Sequence, residues 1–154
     1  MFVYPSGEDG TLLDTTMGDL WMNGTVTTLT TDNDAKTITR VAEASESGDY
    51  SSWAALNYAD MSADCRKIVV TLGEGTSCNM VMIQVQNADG SQIIDQNWGV
   101  CEAGDELIIE LTAEQAQKMC DTTNQYFMIW PDANSGNGCG TLVIESVQFF
   151  AAAE

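Results

Sequence analysis

Aromatic rings and side-chain amides are the residues of this sequence best suited to binding a ligand. The chain has four tryptophans, Trp21, Trp53, Trp98 and Trp130. Strand-like runs also carry a tyrosine and several amides: Tyr126, Asn57, Gln84, Gln86 and Gln96. An aromatic ring packs against the axial C–H groups of a pyranose, and an amide both donates and accepts hydrogen bonds with hydroxyls. A set of this kind suits a neutral sugar polymer.

Each ring also has a simpler interpretation as a core residue. Aromatic side chains carry the largest burial energies, so a single tryptophan in a β-sheet protein is more often buried than ligand-binding. The prediction of a sugar site therefore depends on the group of rings and amides together.

Most catalytic chemistry is excluded by the residue types that the sequence lacks. It contains no histidine, which excludes a Ser/His/Asp triad and a Cys/His pair, and it has no GxSxG, HExxH or phosphate-binding glycine motif. A pair of carboxylates of the kind that glycosidases use remains open, but nothing selects two of the 23 acidic residues. We expect a protein that is not an enzyme.

The charge balance narrows the class of partner. Asp and Glu number 23 against 5 Lys and Arg, which gives a net charge of -18. A surface this negative repels phosphate backbones and anionic lipids, so neither nucleic acid nor a membrane surface is an expected partner. A neutral or cationic partner is favoured.

Five cysteines occur without CxxC or Cys/His spacing, so a structural zinc site is not expected. Because the number is odd, at least one thiol stays unpaired in a monomer. One or two disulfides are compatible with a secreted protein, and the sequence does not choose the pairs.

The strand-like runs follow one another at intervals of about ten residues, separated by turns rich in Gly, Asp and Asn, a pattern typical of an antiparallel β-sandwich. They span 24–31, 36–42, 50–58, 66–73, 79–87, 92–98, 105–111, 125–130 and 140–150. One short helix is predicted over 112–119, where Thr112 can cap and Gln115 stands three residues on. The length of 154 residues fits one domain.

Alternation within the strands predicts which side chains share a face. In "MVMIQVQ", Val81, Ile83 and Val85 form an expected core face, which turns Met82, Gln84 and Gln86 the other way. In "SWAALNY" the expected core face is Ala54, Leu56 and Tyr58, which turns Trp53, Ala55 and Asn57 outward.

In "YFMIW" both faces are apolar. If Phe127 and Ile129 point inward, Trp130 shares a face with Gln84, and Trp130→Ala should then weaken ligand binding without opening the core. Alternation in "QIIDQNW" would set Ile94, Gln96 and Trp98 against Ile93, Asp95 and Asn97, with neither side cleanly core. We assign Trp98 to a strand end or loop without a firm direction, and Trp21 to a structural or peripheral role.

Three segments resemble β-sandwich carbohydrate-binding modules: "GTLVIESVQFF" (140–150), "GDYSSWAALNYADMSADCRKIVVTL" (48–72) and "DELIIELTAEQ" (105–115). The resemblance implies an all-β antiparallel sandwich of the jelly-roll type. It implies a non-catalytic, monomeric and extracellular module, spanning 1–154, within a larger secreted enzyme or cellulosome component that degrades plant polysaccharides. The expected partner is a plant cell-wall polysaccharide of the β-glucan class, including xyloglucan and cellulose oligosaccharides. The expected contact residues are Trp53, Trp98, Trp130, Tyr126, Gln84, Gln86, Asn57 and Gln96.

The same resemblance implies a structural calcium between the first and last strands, although no cofactor is expected to be required. The matching position is Glu145, with Asp14 or Asp9 as a second oxygen ligand. A solvated carboxylate is the simpler interpretation of each in so acidic a chain.

Two alternatives remain. A protein-interaction sandwich, cohesin-like or adhesin-like, is favoured by Met82 and Met128 on the faces proposed for sugar contacts. A small glycoside hydrolase that uses paired carboxylates is less favoured, because 154 residues is short for that class.

Overall fold

The computed structural model describes residues 10–23, 29–41, 53–86, 91–121, 126–131 and 139–152. Within these ranges the elements, in chain order, are β1 (Thr11–Leu12), β2 (Thr16–Asn23), β3 (Leu29–Asp32), β4 (Thr37–Arg40), β5 (Trp53–Ala59), β6 (Cys65–Leu72), β7 (Met80–Gln86), β8 (Gln92–Val100), β9 (Glu106–Glu110), α1 (Ala113–Asp121), β10 (Tyr126–Pro131) and β11 (Gly140–Ala151). The protein is all-β with one short helix in the described ranges, as the sequence predicts.

The strands form two antiparallel sheets. Sheet 1 has the order β3-β4-β11-β6-β9, with β1 also pairing with β11, and sheet 2 has the order β2-β5-β10-β7-β8. From β4 to β11 the chain alternates between the sheets, except for the β7–β8 hairpin within sheet 2. The resulting orders, β4-β11-β6-β9 and β5-β10-β7-β8, are those of a jelly roll. The predicted fold class is confirmed.

The core lies between the two sheets and is built by the predicted alternation. Phe127 of β10 and Phe149 of β11 are fully buried, with ring centroids 6.5 Å apart in an edge-to-face arrangement. Val81, Ile83 and Val85 are also fully buried, and the register pairs Val85 with Phe127. Each such side chain contributes about 1.5 to 3 kcal/mol on burial.

The core also has polar connections at its margins. Tyr58 packs against Phe149 and donates its hydroxyl to the Met119 carbonyl of α1 at 3.2 Å. Burial, followed by the nearby Cys120, raises the pKa of Tyr58. Arg40, buried at the end of β4, donates from Nε to the carbonyl of Pro131 in β10 at 3.2 Å. This bond joins sheet 1 to sheet 2.

The helix begins with the predicted capping box. The amide of Gln115 donates to Thr112 Oγ1 at 3.1 Å, and the amide of Thr112 donates to Gln115 Oε1 at 2.8 Å. This reciprocal pair satisfies two of the amides that a helix start leaves without partners. The helix extends to Asp121, two residues beyond the prediction. No helix in the described ranges has the length and apolar character of a membrane span.

Nine predicted runs correspond to β3 through β11, although residues 24–28, 42, 50–52, 87 and 125 of these runs lie outside the described ranges. Two strands, β1 and β2, were not predicted. The sequence of β2, "TMGDLWMN", has a Gly and an Asp inside it and few β-branched residues, so its composition does not indicate a strand.

Strict alternation in β8 is wrong. The register pairs Val85 with Ile94 but Ile83 with Asn97, so β8 carries one more residue than β7 over this stretch. This bulge sets Ile94 and Asn97 beside core-facing partners, although the alternation puts them on opposite faces. A bulge of this kind depends on the partner strand, which sequence periodicity does not report.

Candidate ligand-binding face

The side of sheet 2 that points away from the core, here called the outer face of sheet 2, carries most of the predicted contact residues. The strand register defines rows across it, because directly paired residues share a face. One row runs Trp21, Ala55, Met128 and Gln84 across β2, β5, β10 and β7. A second row runs Trp130, Met82 and Trp98 across β10, β7 and β8.

Trp21, Trp53 and Asn57 form one cluster on this face. The rings of Trp21 and Trp53 meet edge to face, with centroids 5.1 Å apart and an interplanar angle of 68°. Trp21 Nε1 donates to Asn57 Oδ1 at 2.9 Å, which fixes the amide orientation. Both rings are half-buried and Asn57 is exposed, so the cluster is accessible from solvent.

Trp21 is the candidate that the sequence prediction missed. We expected it to be structural or peripheral, yet it lies beside Trp53 on the outer face. The available signal was the alternation in "LWM": Leu20 and Met22 pair with the core-facing residues Leu56 and Ala54, and Trp21 lies between them. That signal was lost because β2 was not recognised as a strand.

The centre of the outer face is buried despite pointing away from the core. The exposed fractions are 4% for Gln84, 7% for Met82, 1% for Met128 and 8% for Trp130. The predicted direction of these side chains agrees with the register. The expectation that Trp130 could be removed at no cost to stability does not agree with its burial.

Among the described residues, Gln84 has a weak hydrogen bond on one side-chain atom and none on the other. Its Nε2 donates to Met128 Sδ at 3.3 Å, and a thioether sulfur is a weak acceptor. Its Oε1 is buried and has no hydrogen-bond partner within the described part of the chain. A buried carbonyl oxygen left in this way costs about 1 to 3 kcal/mol. The amide oxygen keeps its capacity to accept a hydrogen bond, but a ligand hydroxyl reaches it only when the side chains that cover it move.

Strand β8 forms the edge of the face. Trp98 lies within the strand opposite Met82 and is 47% exposed, so it belongs neither to a loop nor to the core. Gln96 lies at the β8 bulge and is exposed. Both side chains are accessible, but the bulge separates Gln96 from the regular rows.

Tyr126 and Gln86 are the remaining predicted contacts. Their backbones pair at one end of the β10–β7 ladder, and Gln92 of β8 pairs with Gln86 from the other side. Gln86 is half-buried, whereas the side chain of Tyr126 lies outside what the structure describes.

The two predicted calcium ligands lie in different segments: Glu145 in β11 of sheet 1, and Asp14 between β1 and β2. Glu145 is the extra residue of a bulge in β11 and is exposed. The amide of Leu13, next to exposed Asp14, bonds to the carbonyl of Phe149 at 2.8 Å. Phe149 is four residues from Glu145, roughly 13 Å along an extended strand, whereas calcium ligands lie about 2.3 to 2.6 Å from the ion.

The register therefore does not set Asp14 beside Glu145. Among the described residues, no three Asp, Glu, Cys or His side chains come close enough to hold a metal ion. Asp9 lies outside those residues.

Comparison with known proteins gives no relative: no protein-family model, curated protein or solved structure matches the chain.

Proposed function

We propose that the outer face of sheet 2 binds a neutral, β-linked glucan chain and that the domain is a non-catalytic carbohydrate-binding module. The observation that carries this proposal is the row of Trp21, Ala55, Met128 and Gln84, in which an indole and an unsatisfied amide oxygen lie on one face. Sugar rings offer C–H groups to the indole and hydroxyl donors to the amide oxygen.

The accessible rings provide two stacking positions on the outer face of sheet 2. The Trp21–Trp53 pair, with Asn57, provides one position on β2 and β5, and Trp98 provides the other on β8. Gln84 lies between them on β7, and a hydroxyl of the bound chain donates to its buried Oε1 after the side chains that cover this oxygen move aside. An extended β-linked chain suits this arrangement because different sugars of one chain reach the two separate positions.

The charge of the protein supports a neutral ligand. With a net charge of -18, an anionic polysaccharide would be repelled, whereas a glucan carries no charge. In keeping with the sequence resemblance, we place the module in a secreted enzyme or cellulosome component that acts on plant cell walls, as a monomeric extracellular unit.

A protein-interaction sandwich is the second candidate. Trp98 and Val100 are 47% and 67% exposed on the edge strand β8, and Met82 and Met128 lie on the same face. Aromatic residues and methionines are enriched at protein interfaces, although Met82 and Met128 are buried in this structure.

Affinity electrophoresis separates the two candidates. In native gels that contain mixed-linkage β-glucan, xyloglucan or hydroxyethyl cellulose, we expect at least one glucan to slow the protein. Trp53→Ala and Trp98→Ala should restore its mobility, since loss of a stacking ring costs about 1 to 3 kcal/mol. EDTA should change nothing, because the proposed contacts involve no metal.

Phe150→Ala is the matched control. Phe150 is a half-buried aromatic residue on sheet 1, packed under Lys67 Nζ at 5.0 Å from its ring centroid. This variant should be slowed as much as the unmodified chain. If no glucan slows the unmodified protein, the glycan proposal fails and the protein-interaction candidate takes its place.

Gln84→Met tests the amide directly. Methionine has a similar length and no carbonyl, so it removes the buried unsatisfied oxygen at little cost in packing. We expect the free energy of unfolding in urea to stay equal or rise by about 1 kcal/mol, while glucan retardation is lost. A variant that is still slowed to the original extent would show that Gln84 does not contact the ligand.

A further inference from the structure

Two cysteine sulfurs lie close together at one end of the sandwich. Cys78 Sγ and Cys101 Sγ are 3.9 Å apart, and both side chains are buried, with exposed fractions of 1% and 7%. The sequence leaves the pairing of five cysteines open, and this contact distinguishes one pair.

Both residues flank the β7–β8 hairpin of sheet 2, Cys78 two residues before β7 and Cys101 directly after β8. The segment before β7 bonds along β11 of sheet 1, with the Ser77 amide donating to the Thr141 carbonyl at 2.8 Å and the Cys78 amide donating to the same carbonyl at 3.2 Å. Cys101 follows β8 of sheet 2 and donates its amide to the Asn79 carbonyl at 2.9 Å. A bond between the sulfurs would therefore close the open end of this hairpin, where its backbone is hydrogen-bonded to β11.

The close approach of Cys78 to β11 depends on Gly140. This residue has a φ of 133°, and a Cβ built on it would lie 2.7 Å from the Cys78 amide nitrogen. Glycine lets the two backbones meet, which keeps Cys78 in place and its sulfur directed at Cys101.

We propose that Cys78 and Cys101 form a disulfide that closes the open end of the β7–β8 hairpin, beside β11, in the oxidised protein. A disulfide requires an Sγ–Sγ distance of about 2.05 Å. Closing the remaining gap between the two sulfurs requires a small side-chain adjustment, because the backbones at Asn79 and Cys101 are already hydrogen-bonded neighbours. This inference is independent of glucan binding.

The chemistry requires a disulfide oxidant. One cysteine thiolate attacks the S–S bond of an added small disulfide, forms a mixed disulfide and releases one thiol. The second thiolate then attacks the mixed disulfide at the protein sulfur, which releases the second thiol and forms the Cys78–Cys101 bond. The two cysteines are oxidised and the added disulfide is reduced to two thiols.

The local environment supports this exchange. In the contact between Cys78 and Cys101, with Cys101 as the S–H donor, the hydrogen bond lowers the pKa of Cys78 and favours its thiolate. The same contact, together with burial, raises the pKa of Cys101. Cys101 also lines a surface pocket of about 360 Å³ with Val100, Glu102 and Asp105. The two carboxylates in this pocket favour a neutral oxidant over anionic glutathione disulfide.

The test begins with fully reduced protein, which is incubated with neutral hydroxyethyl disulfide and then titrated for thiols in denaturant. The count should fall from five to three, because two of the five thiols pair. Non-reducing proteolysis and mass spectrometry should find the Cys78 and Cys101 peptides linked. The melting temperature should rise by about 5 to 10 °C, because the cross-link closes a loop in the unfolded chain.

Two variants complete the design. Cys101→Ser keeps a donor near the Cys78 carbonyl, which Cys101 Sγ contacts at 3.4 Å, and it should show no temperature shift on oxidation. Cys120→Ser is the control and should keep the shift. The proposal is overturned if the unmodified protein retains five titratable thiols, or if its linked peptides contain Cys65, Cys120 or Cys139 in place of either partner.

Discussion

Phe127 and Trp130 lie on the same strand but face opposite sides of sheet 2, so they contribute differently to stability and to the candidate site. Phe127 is fully buried against Phe149 between the sheets, whereas Trp130 pairs with Met82 on the outer face of sheet 2. Because Trp130 is only 8% exposed, its ring contributes to stability as well as to the wall of the candidate site. Its substitution no longer isolates binding from folding.

We therefore expect both truncations to destabilise the protein. Phe127→Ala should lower the free energy of unfolding by about 3 to 5 kcal/mol through the cavity it leaves, and Trp130→Ala by about 3 kcal/mol. Chemical denaturation followed by far-UV circular dichroism measures both. Trp98→Ala, at a half-exposed ring, is the control and should change stability by less than about 1 kcal/mol. Equal losses for all three variants would contradict the assigned burial.

At the scale of the elements, the start of α1 depends on side chains. Its capping box joins Thr112 and Gln115, and Met119 accepts the Tyr58 hydroxyl from β5. The helix is nine residues long, too short to be stable by itself in water, so it depends on its cap and on packing against the sandwich.

Thr112→Ala should lower the free energy of unfolding by about 1 kcal/mol, because the Gln115 amide loses its acceptor. Thermal unfolding measures the change. Lys118→Ala is the comparison: it breaks the exposed pair with Glu114 at 3.2 Å and should cost no more than about 0.5 kcal/mol. If the two variants are equally stable, the cap contributes less than its geometry implies.

At the scale of the whole molecule, the net charge of -18 acts on stability and on binding in different ways. Like charges on one compact surface repel each other, which destabilises the folded state until salt screens them. A glucan bound by stacking and neutral hydrogen bonds experiences none of this repulsion.

Salt should therefore separate the two properties. Between about 0.01 M and about 1 M sodium chloride the screening length falls from about 30 to about 3 Å. We expect the melting temperature to rise by about 2 to 4 °C or more over this range, equivalent to about 1 kcal/mol, with glucan affinity nearly constant. Calorimetry measures the melting temperature, and affinity electrophoresis measures the glucan affinity. A several-fold loss of affinity with salt would indicate a cationic partner.

The sequence by itself determined the features that depend on local pattern. Alternation over "MVMIQVQ" and "YFMIW" placed Val85 and Phe127 in the core and turned Gln84 and Trp130 the other way, because side chains alternate along any regular strand. Thr112 and Gln115 predicted the helix start because a capping box joins residues only three apart. The sandwich followed from the number and spacing of such strands.

Only the tertiary structure decided the features that depend on residues distant in the chain. Membership of β2 in sheet 2, and with it the contact of Trp21 with Trp53, comes from pairing with β5 across thirty or more residues. The burial of Gln84, the β8 bulge and the Cys78–Cys101 contact likewise depend on neighbouring strands. Periodicity gives the direction of a side chain, but exposure and proximity are set by what packs beside it, and that is a property of the folded chain.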